Sequence, residues 1–566
     1  MAERTRRQLF NERRSALIQE RESWVGHWRE ISGHLLPRNG RFLVSDRNRG
    51  DKRHNTIYDS TGTKALRILS AGLMAGMTSP ARPWFRLATP DPDLMEFAPV
   101  KQWMHQVTVL MRDVFAKSNT YRSLHTLYEE LAAFGTVADI VLPDFQNVIH
   151  HHPLTIGEYA IATDYKGDVT TLYREFDMTV SQVVGQFVRQ ADGNMDWSVA
   201  SGHVKSLWDS GALDKWITVC HVIEPRSDRD VRMRDAKNLP WGSCYYELAG
   251  EQDTVLRESG FRRFPAVCPR WAVSGGDIYG HSPGMESLGD IKQLQHEQYR
   301  KAQGIDYLTK PPLQGPSSLK EQDVNMLPGG LSFHEMTGPA SSIKPLWEPR
   351  LDLNHLLLDI QDVRERIRST FYADLFMMIA QDQRSNITAR EIAERHEEKL
   401  LMLGPVLERL HNENLSPLID LAFDTMLAAG IVPPPPEELH GMDLNVQFIS
   451  VLAQAQRAVG VQSVDRLLGT IGSMAQFKPD VLDKLDADQV VDAYSEMLGV
   501  DPNLIVADDK VAIVRADRAK QQQAMQQAEA LRAGAQTARD LSQADTGGQN
   551  ALTDIMNQFS GYSIPA

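Results

Sequence analysis

Residues 352–391 read DLNHLLLDIQDVRERIRSTFYADLFMMIAQDQRSNITARE, and the two ends of this stretch follow different rules. From 352 to 379 the pattern is helical. Leu353, Leu356, Ile360, Val363 and Ile367 recur at steps of three and four, a heptad-like stripe suited to packing on neighbouring helices. At 1.5 Å per residue one continuous helix here would run about 40 Å. Charges such as Asp352, Asp359, Arg366 and Asp374 fall outside the stripe and leave a wet face. The polar run Gln381-Asp382-Gln383-Arg384-Ser385-Asn386 then interrupts the pattern. Thr388 and Glu391 form a Thr-x-x-Glu capping box, so a new helix starts there. It heads towards residue 429 with Gly404-Pro405 inside it, where a lost amide donor and a steric clash predict a kink. A proline run at 433–436 ends it.

Outward from this stretch, residues 285–308 are again helical, while 310–351 are punctuated by Pro311-Pro312, Gly315-Pro316, Pro328-Gly329-Gly330, Gly338-Pro339 and Pro345. The order is therefore long helix, irregular excursion, long helix, polar loop, kinked helix. The first 284 residues mix types. Helical spacing covers 3–32, 57–79, 99–134 and 179–189, and β-like runs occupy 83–87, much of 137–174 and parts of 216–273. Downstream, 450–458, 464–475, 487–498 and 508–541 read as helices, the last rich in Gln, Ala and charge with little core of its own. The fold class expected is mainly α with an α+β block.

The chain has 566 residues, 60 Lys+Arg against 74 Asp+Glu, and a net charge of −14. With 42% hydrophobic residues it has material for sizeable cores, which excludes wholesale disorder. The acidity argues against a broad basic DNA-gripping face, because such binding draws on displaced counterions. It leaves room for DNA that slides past. Residues 1–53 are locally +6 (thirteen basic, seven acidic), a charge that suits nucleic acid, an acidic partner or a plain solvated helix face. Residues 486–566 are locally −6. The N-terminus lacks an apolar signal core, and the most apolar stretch, 65–77, is short and contains Arg67, so a soluble protein made in the cytosol is expected. Cys220, Cys244 and Cys268 show no metal or disulfide spacing and read as idle thiols.

Several strings imitate chemistry. Gly280-His281-Ser282-Pro283-Gly284 matches the Gly-x-Ser-x-Gly nucleophile elbow, yet the residue after the serine must donate a backbone N–H to the oxyanion, and Pro283 has none. An esterase at Ser282 is thus a weak alternative. His150-His151-His152 point different ways on a strand and read as a surface cluster. His396-Glu397 lacks the second histidine of a zincin, and Ser60-Thr61-Gly62-Thr63-Lys64 lacks the frame of a P-loop. No catalytic residue, cofactor or metal is expected.

Five strings, in order, resemble the portal proteins of short-tailed phages, the head-to-tail connectors. They are Ser79-Pro80 with Trp84-Phe85-Arg86-Leu87; Tyr279-Gly280-His281-Ser282-Pro283-Gly284-Met285 with Asp290-Ile291-Lys292; Lys310-Pro311-Pro312; Asn386-Ile387-Thr388-Ala389-Arg390-Glu391; and Phe448-Ile449-Ser450-Val451-Leu452-Ala453-Gln454-Ala455-Gln456. Where such proteins often carry proline after the last serine, this chain has Val451. The resemblance spans roughly residues 57–460. It implies a ring-forming fold with a wing at 1–284, stem helices at 285–308 and 352–379, and a clip at 309–351. A tunnel loop at 380–387, a kinked wing helix at 388–430, a crown at 431–500 and a C-terminal helix or barrel with a tail at 501–566 would complete it. It also implies a homododecamer at one capsid vertex of the virion, passing double-stranded DNA. Major capsid and scaffolding proteins, the terminase packaging motor, and tail adaptor and nozzle proteins would be partners, with internal core or ejection proteins as further candidates and no membrane. The competing reading is a helical scaffold without a channel, binding a partner through 508–541.

Overall fold

The computed structural model describes residues 5–42, 57–310, 313–314, 344–345, 353–381, 403–449, 467–491 and 508–543, apart from single positions and short stretches inside those ranges. The chain divides into two compact units, Met1–Arg466 and Leu467–Ala566.

In the first unit, α1 (Arg6–His34) opens on a reciprocal capping box between Thr5 and Gln8. It joins two cores. Phe10 and Leu17 pack with Tyr173, Cys220, Val222 and Tyr246 of a sheet, whereas Trp28, Ile31 and Leu35 sit in the large helical core. Several arginines of α1 are spent inside the fold. Buried Arg7 donates to the Glu247 and Gly250 carbonyls at 2.6 and 2.8 Å. Arg14 pairs with Glu175 at 2.6 Å, Arg6 with Glu258, and Arg21 donates to the Gly157 carbonyl at 3.1 Å. These arginines fasten α1 to the sheet, so they do not form a free basic arm.

Next come α2 (Thr61–Met77), β1 (Phe85–Ala88), α3 (Ala98–Lys117) and α4 (Thr120–Phe134). The stretch 99–134 has helical spacing throughout but breaks at Ser118-Asn119. The Asn119 amide there exchanges two 2.9 Å hydrogen bonds with the backbone of His151, closing a sheet edge. β2 (Ala138–Asp144) and β3 (Val148–Leu154) form a hairpin, which β9 (Ala266–Val267) joins in the order β3-β2-β9. A second antiparallel sheet runs β4-β5-β6-β7-β8, with β4 (Tyr159–Thr163), β5 (Val169–Thr179), β6 (Trp216–Pro225), β7 (Trp241–Glu247) and β8 (Arg257–Phe261). The α+β block expected from the sequence is therefore present.

Helix α5 (Leu288–Thr309) follows a short turn at 283–286. Of the Pro/Gly-rich excursion, the described residues are β10 (Leu313–Gln314) and β11 (Lys344–Pro345), which pair antiparallel and bring its two ends together. The stretch 352–379 departs from expectation. It forms two helices, α6 (Leu353–Thr370) and α7 (Ala373–Gln381), because Tyr372 adopts a left-handed φ of 53° and ends the first. The break turns α7 onto α2, where Phe376 fits the groove left by Gly72. A Cβ there would lie 2.2 Å from the Phe376 ring.

Residues 403–410 are helical, a π turn spans His411–Leu415, and α8 runs Ser416–Ala428. Pro417 accounts for the π turn. It has no N–H for the Glu413 carbonyl, and its ring crowds that carbonyl unless the turn widens. Gly404 and Pro405 lie in the helical residues 403–410, while the segment before 403, on which a kink there depends, lies outside the described residues. β12 (Asn445–Phe448) returns to pair with β1. In the second unit, α9 (Asp508–Gln543) is exposed along its middle, with Arg515 bound to Asp488 at 2.6 Å.

Candidate functional site: the paired helices and their clamp

α5 and α6 form an antiparallel rod. Asp290 pairs with Arg366 at 3.1 Å, and seven residues on along α5 and seven back along α6, Glu297 meets Asp359. The apolar stripe faces inward. Ile360, Val363 and Ile367 are buried and Leu356 is half-buried, against α5 and α2. Leu353 begins α6.

A polar clamp ties the rod to the start of α2. The Gln295 side-chain oxygen accepts from the Tyr58 and Asp59 amides at 2.6 and 2.8 Å, and its NH2 donates to the Asp59 carbonyl at 2.9 Å. One Asp59 oxygen caps α2, accepting from Thr61 N–H at 2.8 Å and from its hydroxyl at 2.6 Å. The other accepts from Gln298 at 3.0 Å and from Arg364 at 2.7 and 3.0 Å. Burial opposes ionisation of Asp59, but the Thr61 and Arg364 bonds outweigh it and hold the carboxyl below the ordinary range. One carboxylate thus joins three helices.

The two flanks of the rod differ. Beside the clamp lies a cleft of about 650 Å³ whose lining includes Lys64, Arg364, Arg368, Asp374 and Met377. The other flank presents Asp290, Glu297, Asp359 and Asp362 around Arg366. Burial and the Asp359 carboxylate push the Glu297 carboxyl up, and its Oε2 is buried without a hydrogen-bond partner.

The strings that imitate chemistry are structural in the fold. Ser282 is buried, donates to the Ala133 carbonyl at 2.8 Å and caps the 283–286 turn by accepting from Met285 N–H at 3.1 Å. The three histidines point different ways, as expected, but only two stay at the surface. His150 and His152 share one face with ring centroids 4.8 Å apart, while His151 is buried, with Nδ1 2.6 Å from Asp139 and Nε2 2.9 Å from the Thr120 hydroxyl. That Thr–His–Asp line has the spacing of a hydrolase triad. All three side chains are at most 1% exposed, so no substrate reaches them in this conformation. Among the described residues, no group of three or more His, Cys, Asp or Glu could hold a metal ion, and no helix is long and apolar enough to cross a membrane. The three thiols are buried and unpaired.

Of the residues singled out in the sequence, the structure gathers the α6 stripe into one interface. Gln381 ends α7, whereas Asp382, Gln383, Arg384, Ser385 and Asn386, together with Thr388 and Glu391, lie outside the described residues. Sequence reading missed the clamp. Asp59-Ser60-Thr61 before an apolar helix was a legible cap signal, but its engagement by Gln295 and Arg364, 236 and 305 residues away, was not.

The family model for bacteriophage head to tail connecting protein matches residues 7–506. The chain is 59% identical over 563 residues to the "Probable portal protein" of Bordetella phage BPP-1, covering all of both chains. It is 46% identical over 558 residues to the "Portal protein" of Salmonella phage epsilon15, covering 98% of this chain and 99% of that one. Among solved structures, a chain of "Neck of empty GTA particle computed with C6 symmetry" is 11% identical at a TM-score of 0.33, over 78% of this chain and 91% of that one. With more than half its length matched by the family model and two relatives aligned end to end, the chain belongs to the phage head-to-tail connector family of portal proteins.

Proposed function

We propose that this protein works as a homododecameric portal ring at one capsid vertex. It would pass double-stranded DNA inwards during packaging and outwards at ejection, and present docking sites to the terminase motor, to capsid and scaffolding proteins and to tail adaptor and nozzle proteins. The single observation that carries the reading is the end-to-end likeness to two proteins named as portals. The structure supplies a physical basis. The α5–α6 rod is stiffened by an apolar seam and clamped to the helical core, as a wall element under load requires. In this reading 285–308 and 352–379 are the stem, 309–351 the clip, 380–387 the tunnel loop, 388–430 the wing helix, 431–500 the crown and 501–566 the C-terminal helix and tail. Synthesis in the host cytoplasm and residence at the head–tail junction follow from the same role, and no chemistry is asked of the chain itself.

Native mass spectrometry with negative-stain images of the same sample tests the proposal. A closed ring of about twelve copies with a central hole is expected. A species that stays monomeric when concentrated and in the presence of capsid proteins overturns it in favour of a helical scaffold.

A further inference from the structure

The two flanks of the α5–α6 rod carry opposite charge and cannot meet within one copy. On the cleft flank, Asp59 is already engaged by Arg364, which leaves Lys64 and Arg368, both exposed, against Asp374. The positive end of the α2 dipole adds to that field. On the opposite flank Asp290, Glu297, Asp359 and Asp362 outnumber Arg366. Helical geometry separates the groups: at 100° per residue, Arg364 and Arg368 lie on one side of the buried Ile360–Val363–Ile367 seam, and Asp359 and Asp362 on the other. Two different, complementary patches on one rigid element are what a head-to-tail contact between identical copies needs, and rotation of such contacts closes a ring.

Resting on the ring reading above, we infer that the cleft flank of one copy, through Lys64 and Arg368, receives the acidic flank of the next copy's rod, through Asp359 and Asp362. The occupant of the cleft is thus a second copy of this chain. Exposed ion pairs are individually weak and screened by salt, so the contact acts as register and orientation on top of apolar packing, and ring stability falls as ionic strength rises.

Charge reversal on each side, then on both, tests this. K64E/R368E is expected to raise the protein concentration needed for half-maximal ring formation by roughly tenfold, read by native mass spectrometry at matched ionic strength. D359K/D362K should weaken rings to a similar degree. Its protomer should melt close to wild type, because relief of the repulsion on Glu297 offsets loss of the exposed Asp362–Arg366 pair. This split separates an interface role from a folding role. The four-fold variant should recover rings towards the wild-type level. If K64E/R368E unfolds by circular dichroism, since Arg368 also sits in the favourable last turn of α6, K64Q/R368Q replaces it. Rings indifferent to either reversal, or a four-fold variant no better than its worse parent, overturn the inference while leaving the portal reading intact. A lowered melting temperature of the isolated protomer with K64Q/R368Q, unrescued by the acidic-side change, would assign the cleft to a segment of the same chain instead. Absence of wild-type rings under all conditions removes both.

Discussion

At the scale of single residues, the buried polar groups set the pH and packing behaviour. Glu130 on α4 accepts from Asn39 at 3.0 Å and from the Ile156 N–H at 3.2 Å, yet burial, reinforced by the nearby Glu158 charge, pushes its carboxyl from an ordinary 4.5 up to about 7. A carboxyl raised on folding binds its proton more tightly in the folded state. Its contribution is therefore complete below the unfolded value and is lost as pH climbs through 7, a change of about 3 kcal/mol. Glu130→Gln, neutral throughout, should flatten that decline, seen as melting temperatures that converge at pH 5 and separate in the variant's favour at pH 8. Asn414 in the π turn is wholly buried and both its amide atoms lack a partner. Asn414→Leu, of similar shape, should raise the denaturant midpoint, by about 1–3 kcal/mol in stability. Ser282→Ala removes a cap and orphans the Ala133 carbonyl, so it should lower stability by about 1–2 kcal/mol. An esterase reading would instead require ester turnover that disappears with the hydroxyl.

At the scale of elements, what was legible in the sequence was what local periodicity encodes. The stripe Leu356, Ile360, Val363 and Ile367 announced an inward face because three- and four-residue steps need no knowledge of the partner, and the structure buries it. The break at Tyr372 was invisible. No glycine or proline marks it, and its left-handed backbone is imposed from outside by α7 docking on α2. The cleavage of 99–134 at Asn119 has the same character, since an amide recruited to a sheet edge overrides helical propensity. The clamp at Asp59 was half legible, as a cap but not as a junction. This dependence on docking gives a test at the same scale. Gly72→Ala would set a methyl 2.2 Å from the base of the Phe376 ring, which cannot swing clear without moving α7. The substitution should cost about 1–3 kcal/mol despite the better helix propensity of alanine, read as a lower unfolding midpoint, and Phe376→Leu in the same chain should recover part of it. An unchanged midpoint for Gly72→Ala would show that α7 does not rest on α2.

At the scale of the whole molecule, charge constrains what a channel of these subunits can do. Each chain carries −14, so twelve would total about −170, a field that repels a polyanion from the walls. DNA held by many phosphate contacts would bind strongly and move slowly, whereas an acidic passage with sparse cations lets it slide. Arg6, Arg7, Arg13, Arg14 and Arg21 of the N-terminal helix add little to this balance, because carboxylates and backbone carbonyls of the sheet region already engage them. In the proposed assignment, contact with DNA then falls to the short polar segment 381–386, whose one cation is Arg384. Beginning at the last residue of α7, the segment contains no residue of the stripe, the clamp or either charged flank, so its removal is expected to spare the contacts proposed to build a ring. Deleting residues 381–386 should leave ring formation by native mass spectrometry at the wild-type level while reducing the yield of DNA-filled heads severalfold. Arg384→Ala should weaken retention with a smaller effect on filling, because one transient phosphate contact is lost. Normal numbers of DNA-filled heads from the deletion would remove the tunnel-loop role from this segment. Loss of rings would show that it belongs to the subunit contact.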